Sequence, residues 1–201
     1  QEVTDSVPRA GYDRQVDLVA DGLDFRYRAY RANVTLRRGK YGNAILSRFP
    51  LTETSNIDLT IRLKKRRGAL MACCHVRDGR RSRRLVLCNV HLGLAGFERS
   101  IQVRRLLACD YLAHTQARIP IVIAGDFNDL RGSLGTRLLE PAGFDTASGQ
   151  IKTFPAFRPI RALDRIFFRG KIDACHCFAS RTSVAKKASD HFPVVADFEF
   201  M

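Results

Sequence analysis

The sequence predicts an α+β fold arranged as a four-layer sandwich, with two packed sheets inside and helices outside. Three observations lead to this prediction. Eight short runs rich in β-branched and aromatic residues are separated by turn residues, which is a pattern typical of strands. Two segments, 85–90 and 119–124, are apolar almost throughout, as expected of strands that are buried on both faces. Helical periodicity is confined to three segments.

The predicted strands are distributed along the whole chain. They cover residues 25–34, 44–48, 69–76, 85–92, 121–125, 165–168, 172–179 and 194–200. Residues 1–3 resemble the end of a further strand, so we expect the first strand of the fold to be incomplete in this chain. No repeat or change of composition interrupts the 201 residues. We therefore expect a single domain over residues 1–201.

The longest predicted helix covers residues 98–114. Its apolar residues recur on one face, with charged residues between them, so we expect about four turns that pack one face on a sheet. A second helix is predicted over 13–20. A third is predicted over 134–139, where Pro141 and Gly143 end it.

The charge of the chain is strongly positive. It has 34 Lys and Arg residues against 20 Asp and Glu, a net charge of +14 and a pI of about 10.1. Such an excess attracts nucleic acid, anionic lipid or phosphorylated small molecules, although solubility alone is the simpler explanation. Basic residues cluster at 64–67 and 80–84, including Arg80. A hydrophobic content of 45% excludes a disordered chain, and no apolar run approaches the roughly 18 residues of a transmembrane helix.

Six cysteines raise the question of zinc or disulfides, and their spacing argues against both. The adjacent pair Cys73 and Cys74, and the pair Cys175 and Cys177, are too close for a zinc knuckle. Cysteines within apolar runs behave as small hydrophobic residues. We therefore expect reduced thiols and a cytoplasmic location, and no targeting peptide is visible.

Polar residues follow or begin four of the predicted strands. These residues are His91, Asp126, Asn128, Asp164, Asp190 and His191. Each has a structural explanation when taken alone, because aspartates often cap turns and histidines are often satisfied in a core. Together they supply carboxylates for a divalent metal, an amide and imidazoles for phosphate oxygens, and an Asp/His pair for proton transfer. The set therefore predicts hydrolysis of a phosphate ester.

Six segments, in this order and spacing, carry a resemblance to a known family. They are QEV at 1–3, YGNAILSRFPL at 41–51, NVHLGL at 89–94, GDFND at 125–129, LDRIFF at 163–168 and SDHFPV at 189–194. The chain resembles the endonuclease/exonuclease/phosphatase superfamily, also called DNase I-like, over its whole length. The resemblance implies mixed sheets in the sandwich, Mg²⁺ or Mn²⁺ as cofactor, and in-line attack of water without a covalent intermediate. It also implies an earlier strand with a metal-site Asn, so we expect the chain to be N-terminally incomplete.

The resemblance assigns metal and phosphate roles to three residues. Glu2 matches the family's metal-binding glutamate, and its carboxylate is a hard oxygen ligand of the kind that Mg²⁺ and Mn²⁺ prefer. Asp190 matches an acid near the metal and the phosphate. His91 matches a residue that contacts the phosphate.

The resemblance assigns the reaction itself to four further residues. Asp126 matches the aspartate that positions or deprotonates the attacking water, and Asn128 matches the amide that holds a phosphate oxygen. His191 matches the catalytic histidine, and Asp164 the carboxylate that orients it. Such a carboxylate raises the pKa of the imidazole and fixes its tautomer.

The remaining candidates have two explanations each. Asn43 contributes either to substrate binding or to a turn, while Arg67 and Arg165 bind either substrate phosphate or a carboxylate of the protein. Phe154 and Phe157 form either a wall of the substrate cleft or a core anchor.

The substrate expected first is nucleic acid, which makes the chain a metal-dependent nuclease. Phospholipid head groups or small phosphate esters come second, and the absence of Trp weakens the case for base stacking. A non-catalytic basic module that binds nucleic acid or an anionic membrane is the alternative of another class. No obligate protein partner is evident.

Overall fold

A computed structural model of the chain describes residues 1–8, 11–79 and 81–201, without the side chain of Asp78. Arg80 of the second basic cluster lies outside the described residues. The chain divides into two compact units, Gln1–Leu92 and Gly93–Met201. Within the described residues, no helix has the length and apolar character needed to cross a membrane.

The described residues of the first unit form six strands and one helix. The strands are β1 (Val3–Asp5), β2 (Tyr27–Thr35), β3 (Lys40–Ser47), β4 (Leu51–Asp58), β5 (Gly68–Asp78) and β6 (Arg81–His91), and α1 covers Gln15–Gly22. Strand β3 pairs with both β1 and β2, and β5 pairs with both β4 and β6, in each case antiparallel. Ala29 and Ile45 from the first group pack against Leu70 and Ala72 from the second. The two groups therefore face each other across an apolar core.

The second unit contains five strands and several short helical segments. The helices are α2 (Gly96–Leu107), α3 (Asp110–Ala113) and α4 (Ser183–Ala188), and the strands are β7 (Ile121–Asp126), β8 (Asp145–Thr146), β9 (Asp164–Arg169), β10 (Ile172–Ala179) and β11 (Val194–Phe200). Strand β9 pairs antiparallel with β7 and β8, and β10 pairs antiparallel with β11. Phe168 of β9 meets Phe198 of β11 with ring centroids 5.4 Å apart.

The predicted α+β class is confirmed, and all eight predicted strands are present. The predicted helix over 98–114 is two helices, because Cys109 adopts extended backbone angles (φ −69°, ψ 143°) that end the helical hydrogen bonding. The segment predicted as a helix at 134–139 forms a π-helical turn over Gly135–Leu139. A 3₁₀ turn follows over Glu140–Ala142. Pro141 lacks the N–H that a continuing helix would need.

Three elements were missed by the sequence analysis. Strand β4 has mostly polar, exposed residues, so it lacks the apolar signal from which strands are predicted. Strand β8 has two residues and α4 has six, which is too short for a periodicity to appear. Helix α4 does begin at a recognisable cap, since the Thr182 hydroxyl accepts a hydrogen bond from the Ala185 backbone N–H at 3.1 Å.

Candidate active site

Two adjacent strands of the second unit place a pair of aspartates side by side. Asp126 is the last residue of β7 and Asp164 the first residue of β9, and they lie directly opposite each other in the antiparallel ladder. Opposite residues of a ladder project from the same face, with Cβ atoms about 4.5–5.5 Å apart. The carboxylates of two segments 38 positions apart in sequence are thereby brought together.

The turn after β7 is held by the Asp126 carboxylate itself. Its Oδ1 accepts a hydrogen bond from the Asn128 backbone N–H at 2.8 Å. Asn128 has a φ of 51°, in the left-handed region that asparagine tolerates better than most residues. Between them, Phe127 is buried and packs edge-on against Phe167, with ring centroids 5.2 Å apart. The GDFND segment is therefore a rigid turn anchored in the core.

Asp164 joins two side chains through a single oxygen atom. Its Oδ2 accepts a hydrogen bond from the Thr153 hydroxyl at 2.5 Å, and lies 2.7 Å from Nδ1 of His191. The side chains of Asp164 and His191 are 13% and 24% exposed, and Thr153 is fully buried. When Nδ1 carries the proton and donates to the carboxylate, Nε2 becomes the nitrogen available for chemistry.

The charges around His191 favour its protonated form. Burial lowers the pKa of the imidazole, but the hydrogen bond and charge of Asp164, followed by the charges of Asp126 and Asp190, raise it above the ordinary value of 6.5. The net effect is a raised pKa. His191 therefore keeps a positive charge to a higher pH than an isolated histidine does.

The segments that carry Thr153 and His191 are tied together by backbone hydrogen bonds. The Phe192 N–H donates to the Thr153 carbonyl at 3.0 Å, and the Ala156 N–H donates to the Asp190 carbonyl at 2.7 Å. The ring of Phe154 also packs on the His191 imidazole, with centroids 4.7 Å apart. Phe154 thus contacts the site, whereas Phe157 is 75% exposed.

Divalent metal ions suit this site by charge and by ligand type. The charges of Asp126, Asp164 and Asp190 all act on the imidazole of His191, so the carboxylates outnumber the cationic group by three to one. A further cation would offset that negative charge before a phosphate ester approaches. No group of three Asp, Glu, His or Cys side chains is arranged as a metal cage in the described parts of the chain. Mg²⁺ is commonly held by only one or two carboxylates, with water and substrate phosphate completing its shell, so the carboxylates present fit such an ion.

Four further site residues predicted from the sequence, Glu2, Asn43, Arg67 and His91, lie in the first unit. Glu2 is exposed, has a φ of 52° and immediately precedes β1. His91 is the buried last residue of β6. Their roles toward metal and phosphate stay predictions.

Asn43 and Arg67 are both buried in the first unit. The amide nitrogen of Asn43 donates to the carbonyls of Gly68 and Asn89, at 2.9 and 3.1 Å. This geometry matches the structural explanation for Asn43. The Nε of Arg67 is buried and has no hydrogen-bond partner among the described residues, so a ligand role for Arg67 stays a prediction.

Arg165 lies on the opposite face of β9 from Asp164, because successive residues of a strand alternate between faces. It is buried, and its Nη2 donates to Oε1 of Gln150 at 3.1 Å. Burial lowers the pKa of the guanidinium, and the charge of Asp129 opposes that change. These residues line a separate cavity of about 250 Å³. The structure therefore does not bring Arg165 to the carboxylate face of the sheet.

Thr153 belongs to this site, although the sequence alone predicts no role for it. The only indication that its hydroxyl belongs to the site is the hydrogen bond to Asp164, eleven positions further along the chain. No pattern in the neighbouring residues predicts that hydrogen bond. In the sequence, the segment TFP at 153–155, which lies shortly before LDRIFF, is the feature that could have drawn attention to Thr153.

The fold and the Asp/His site are those expected of a phosphoester hydrolase, and comparison with known proteins identifies the family. The model of the Endonuclease/Exonuclease/phosphatase family matches residues 1–191. This chain therefore belongs to that family, whose members are phosphoesterase-type hydrolases.

Curated and solved proteins are also similar to this chain. The uncharacterized protein YbhP of Escherichia coli is 31% identical over 174 residues, covering 84% of this chain and 67% of YbhP. An endonuclease/exonuclease/phosphatase structure from Beutenbergia cavernae has a TM-score of 0.75 at 21% identity, over 94% of this chain and 58% of that protein. A mannosyl-6-phosphatase of Bacteroides thetaiotaomicron has a TM-score of 0.72 at 16% identity, over 92% and 81% of the two chains. The chain thus spans little more than half of the Beutenbergia protein.

Proposed function

We propose that this chain is a divalent-metal-dependent phosphodiesterase that hydrolyses its substrate by in-line attack of water. The observation that carries the proposal is the hydrogen-bonded series Thr153–Asp164–His191, with Asp126 near the imidazole. Family membership supports the hydrolase class. The metal dependence and the diester substrate are the finer part of the proposal.

His191 stabilises the charge that develops on the phosphate. Asp164 holds Nδ1, so Nε2 donates a hydrogen bond to a phosphate oxygen when the imidazole is protonated. The raised pKa of His191 keeps this donor charged to a higher pH than that of an isolated histidine. Such a preorganised donor is more effective toward a developing oxyanion than toward the ground state.

Asp126 and Asn128 act on the attacking water and the phosphate. The Asp126 carboxylate orients the water and accepts its proton, and the Asn128 amide holds a phosphate oxygen. The hydrogen bond between Asp126 and the Asn128 backbone fixes both residues relative to each other. No side chain forms a covalent bond to phosphorus in this mechanism.

A divalent ion, when bound, neutralises phosphate charge and stabilises the leaving oxygen. Glu2 and Asp190 are the carboxylates that the sequence predicts for this ion.

The substrate class rests on two kinds of support. The net charge of +14 favours a polyanion, which is the basis for the nucleic acid expected first from the sequence. A phospholipid is the second candidate, because the first unit contains an apolar cavity beside Glu2. The mannosyl-6-phosphatase neighbour shows that the fold also supports monoester hydrolysis, and at 16% identity it does not select a substrate.

The test is hydrolysis of bis(p-nitrophenyl) phosphate and p-nitrophenyl phosphate in Mg²⁺, in Mn²⁺ and in EDTA. We expect metal-dependent turnover with a preference for the diester, and loss of at least about a hundredfold in Asp126→Asn and in His191→Gln. Two matched variants control for surface charge and folding. Asp173→Asn and His176→Gln change exposed residues of β10 and should retain activity.

Three results would refute parts of the proposal. Equal activity in EDTA would exclude metal dependence, and a preference for the monoester would make the chain a phosphatase. No turnover on either ester, together with salt-sensitive binding of DNA or anionic vesicles, would favour the non-catalytic binding module.

A further inference from the structure

The first unit contains a cavity of about 650 Å³ with aliphatic walls. The walls come from Val7 and Pro8 after β1, from Val34 and Leu36 at the end of β2, and from Tyr41 of β3. This volume lies within the 300–1,000 Å³ that ligand pockets usually occupy. Glu2, the residue predicted to hold the metal, also lines the cavity.

A glycine sets the shape of this cavity. Gly39 has a φ of 88°, and a Cβ there would lie 2.6 Å from both the Ser6 carbonyl oxygen and Cγ1 of Val7. The tip of the β2–β3 hairpin therefore packs directly against the segment after β1. The Leu36 N–H closes the hairpin by donating to the Gly39 carbonyl at 2.9 Å. The cavity wall is thus part of the fold rather than a loose loop.

The walls suit an alkyl chain better than a nucleobase. Tyr41 supplies the aromatic ring of the lining, and it is only 9% exposed. The ammonium of Lys65 lies over that ring, 5.0 Å from its centroid. Bases bind single-stranded nucleic-acid sites by stacking on open aromatic faces, and the face of Tyr41 is engaged by a cation. The rest of the apolar lining is aliphatic.

Cations at the cavity complement an anionic head group. Among the described lining residues, Arg38 and Lys65 stand with one carboxylate, that of Glu2, so this part of the lining carries a net positive charge. Lys65 belongs to the basic run 62–67, in which Leu63 is 96% exposed. Leu36 of the cavity wall is 41% exposed and is followed by Arg37 and Arg38. Exposed apolar residues flanked by basic ones are typical of surfaces that bind anionic lipid.

We propose that this cavity binds an acyl chain of an anionic phospholipid, while Arg38 and Lys65 bind the phosphate of its head group. The inference rests on the proposed function only for the further step, in which that lipid is the phosphodiester substrate. Binding itself requires neither a metal ion nor turnover.

The probes are soluble alkyl phosphates of increasing length, namely butyl, hexyl and octyl phosphate. Their affinities are measured by titration calorimetry in EDTA, below the concentrations at which they form micelles. Each buried methylene is expected to tighten binding about fourfold, so each two-carbon step should give about fifteenfold. Affinities of butyl and octyl phosphate within about twofold of each other would overturn the proposal.

Paired variants distinguish the part of the cavity that binds the alkyl chain of the probe from the part that binds its phosphate. Leu36→Asp places a charge in the wall and should abolish the dependence on chain length, whereas Leu23→Asp changes a leucine of similar exposure outside the cavity. Lys65→Gln should weaken all three probes equally, and Arg26→Gln, with the same loss of charge outside the cavity lining, should not. If Leu36→Asp retains the dependence of affinity on alkyl-chain length, the alkyl chain binds outside this cavity and the proposal is overturned.

The partner class is tested with vesicles and an oligonucleotide. Vesicles of phosphatidylcholine with phosphatidylglycerol should displace octyl phosphate, whereas vesicles of phosphatidylcholine alone should not. Displacement by a single-stranded oligonucleotide but not by anionic vesicles would overturn the proposal in favour of nucleic acid. Hydrolysis of bis(p-nitrophenyl) phosphate by the same preparation distinguishes the two proposals. Turnover without chain-length dependence rejects the lipid cavity alone, and chain-length dependence without turnover rejects the phosphodiesterase alone.

Discussion

The interaction between Asp164 and His191 should stabilise the fold more strongly at low pH than at high pH. Although burial opposes it, the hydrogen bond and charge of Asp164 help to raise the pKa of His191 above 6.5. A group whose pKa is raised in the folded state contributes its full stability below its unfolded pKa, and loses it as the pH rises through its folded pKa. The coupling between the two side chains should therefore be largest below about pH 6.5.

The geometry of the pair sets the expected size of this coupling. Nδ1 and Oδ2 are 2.7 Å apart, and both side chains are less than one-third exposed, so solvent screens the interaction only in part. A hydrogen bond that involves a charged group contributes about 1.5–3 kcal/mol. We expect a coupling in this range at about pH 5.5, where the imidazole is protonated.

A double-mutant cycle of Asp164→Ala and His191→Ala, measured by urea unfolding, isolates the coupling. The control is a cycle on His176 and Asp197, which are 3.7 Å apart and 67% and 65% exposed. That exposed pair should show less than about 0.5 kcal/mol. A coupling for Asp164 and His191 that stays constant, or grows, between about pH 5.5 and pH 9 would refute the assignment of His191 as the charged partner.

Three further predictions concern single residues of the second unit. Thr153→Val removes the hydroxyl that donates a hydrogen bond to Asp164, so it should lower the free energy of unfolding by about 1.5–3 kcal/mol. The same variant should lower kcat with little change in KM, and Thr153→Ser should restore kcat. Asp126→Asn keeps an oxygen for the turn hydrogen bond, so the free energy of unfolding in urea should fall by less than the about 1.5–3 kcal/mol expected for Thr153→Val, although hydrolysis is lost. Gly93→Ala would place a Cβ 2.1–2.4 Å from the buried carboxylate of Glu98, so thermal unfolding should reveal a cost of about 1–3 kcal/mol. Gly22→Ala, with open space at its Cβ, should show none.

The strands were predictable because their cores are runs of β-branched and apolar residues, and the missed elements lack that property. Strand β4 is mostly exposed and polar, so hydrogen bonding to β5 rather than burial of its own side chains defines it. Apolar residues recur with helical spacing on both sides of Cys109. This pattern therefore does not predict the extended backbone angles that interrupt the helix at Cys109.

Some residues of the candidate site can also be predicted from the sequence around them, whereas others are recognised only from the tertiary structure. Asp126 and Asn128 were predictable because a strand ends in a polar turn, and Asp164 because a lone acid begins an apolar strand. Strand alternation, which the sequence pattern itself indicates, places Arg165 on the other face of β9 from Asp164, and its role toward phosphate stays a prediction. Thr153 differs, because its role depends on the approach of a separate segment to Asp164. One oxygen of Asp164 contacts both the Thr153 hydroxyl and His191, and this arrangement exists only in the folded protein. A residue pattern can indicate the aspartate and the histidine, but it does not indicate the threonine that holds the aspartate in place.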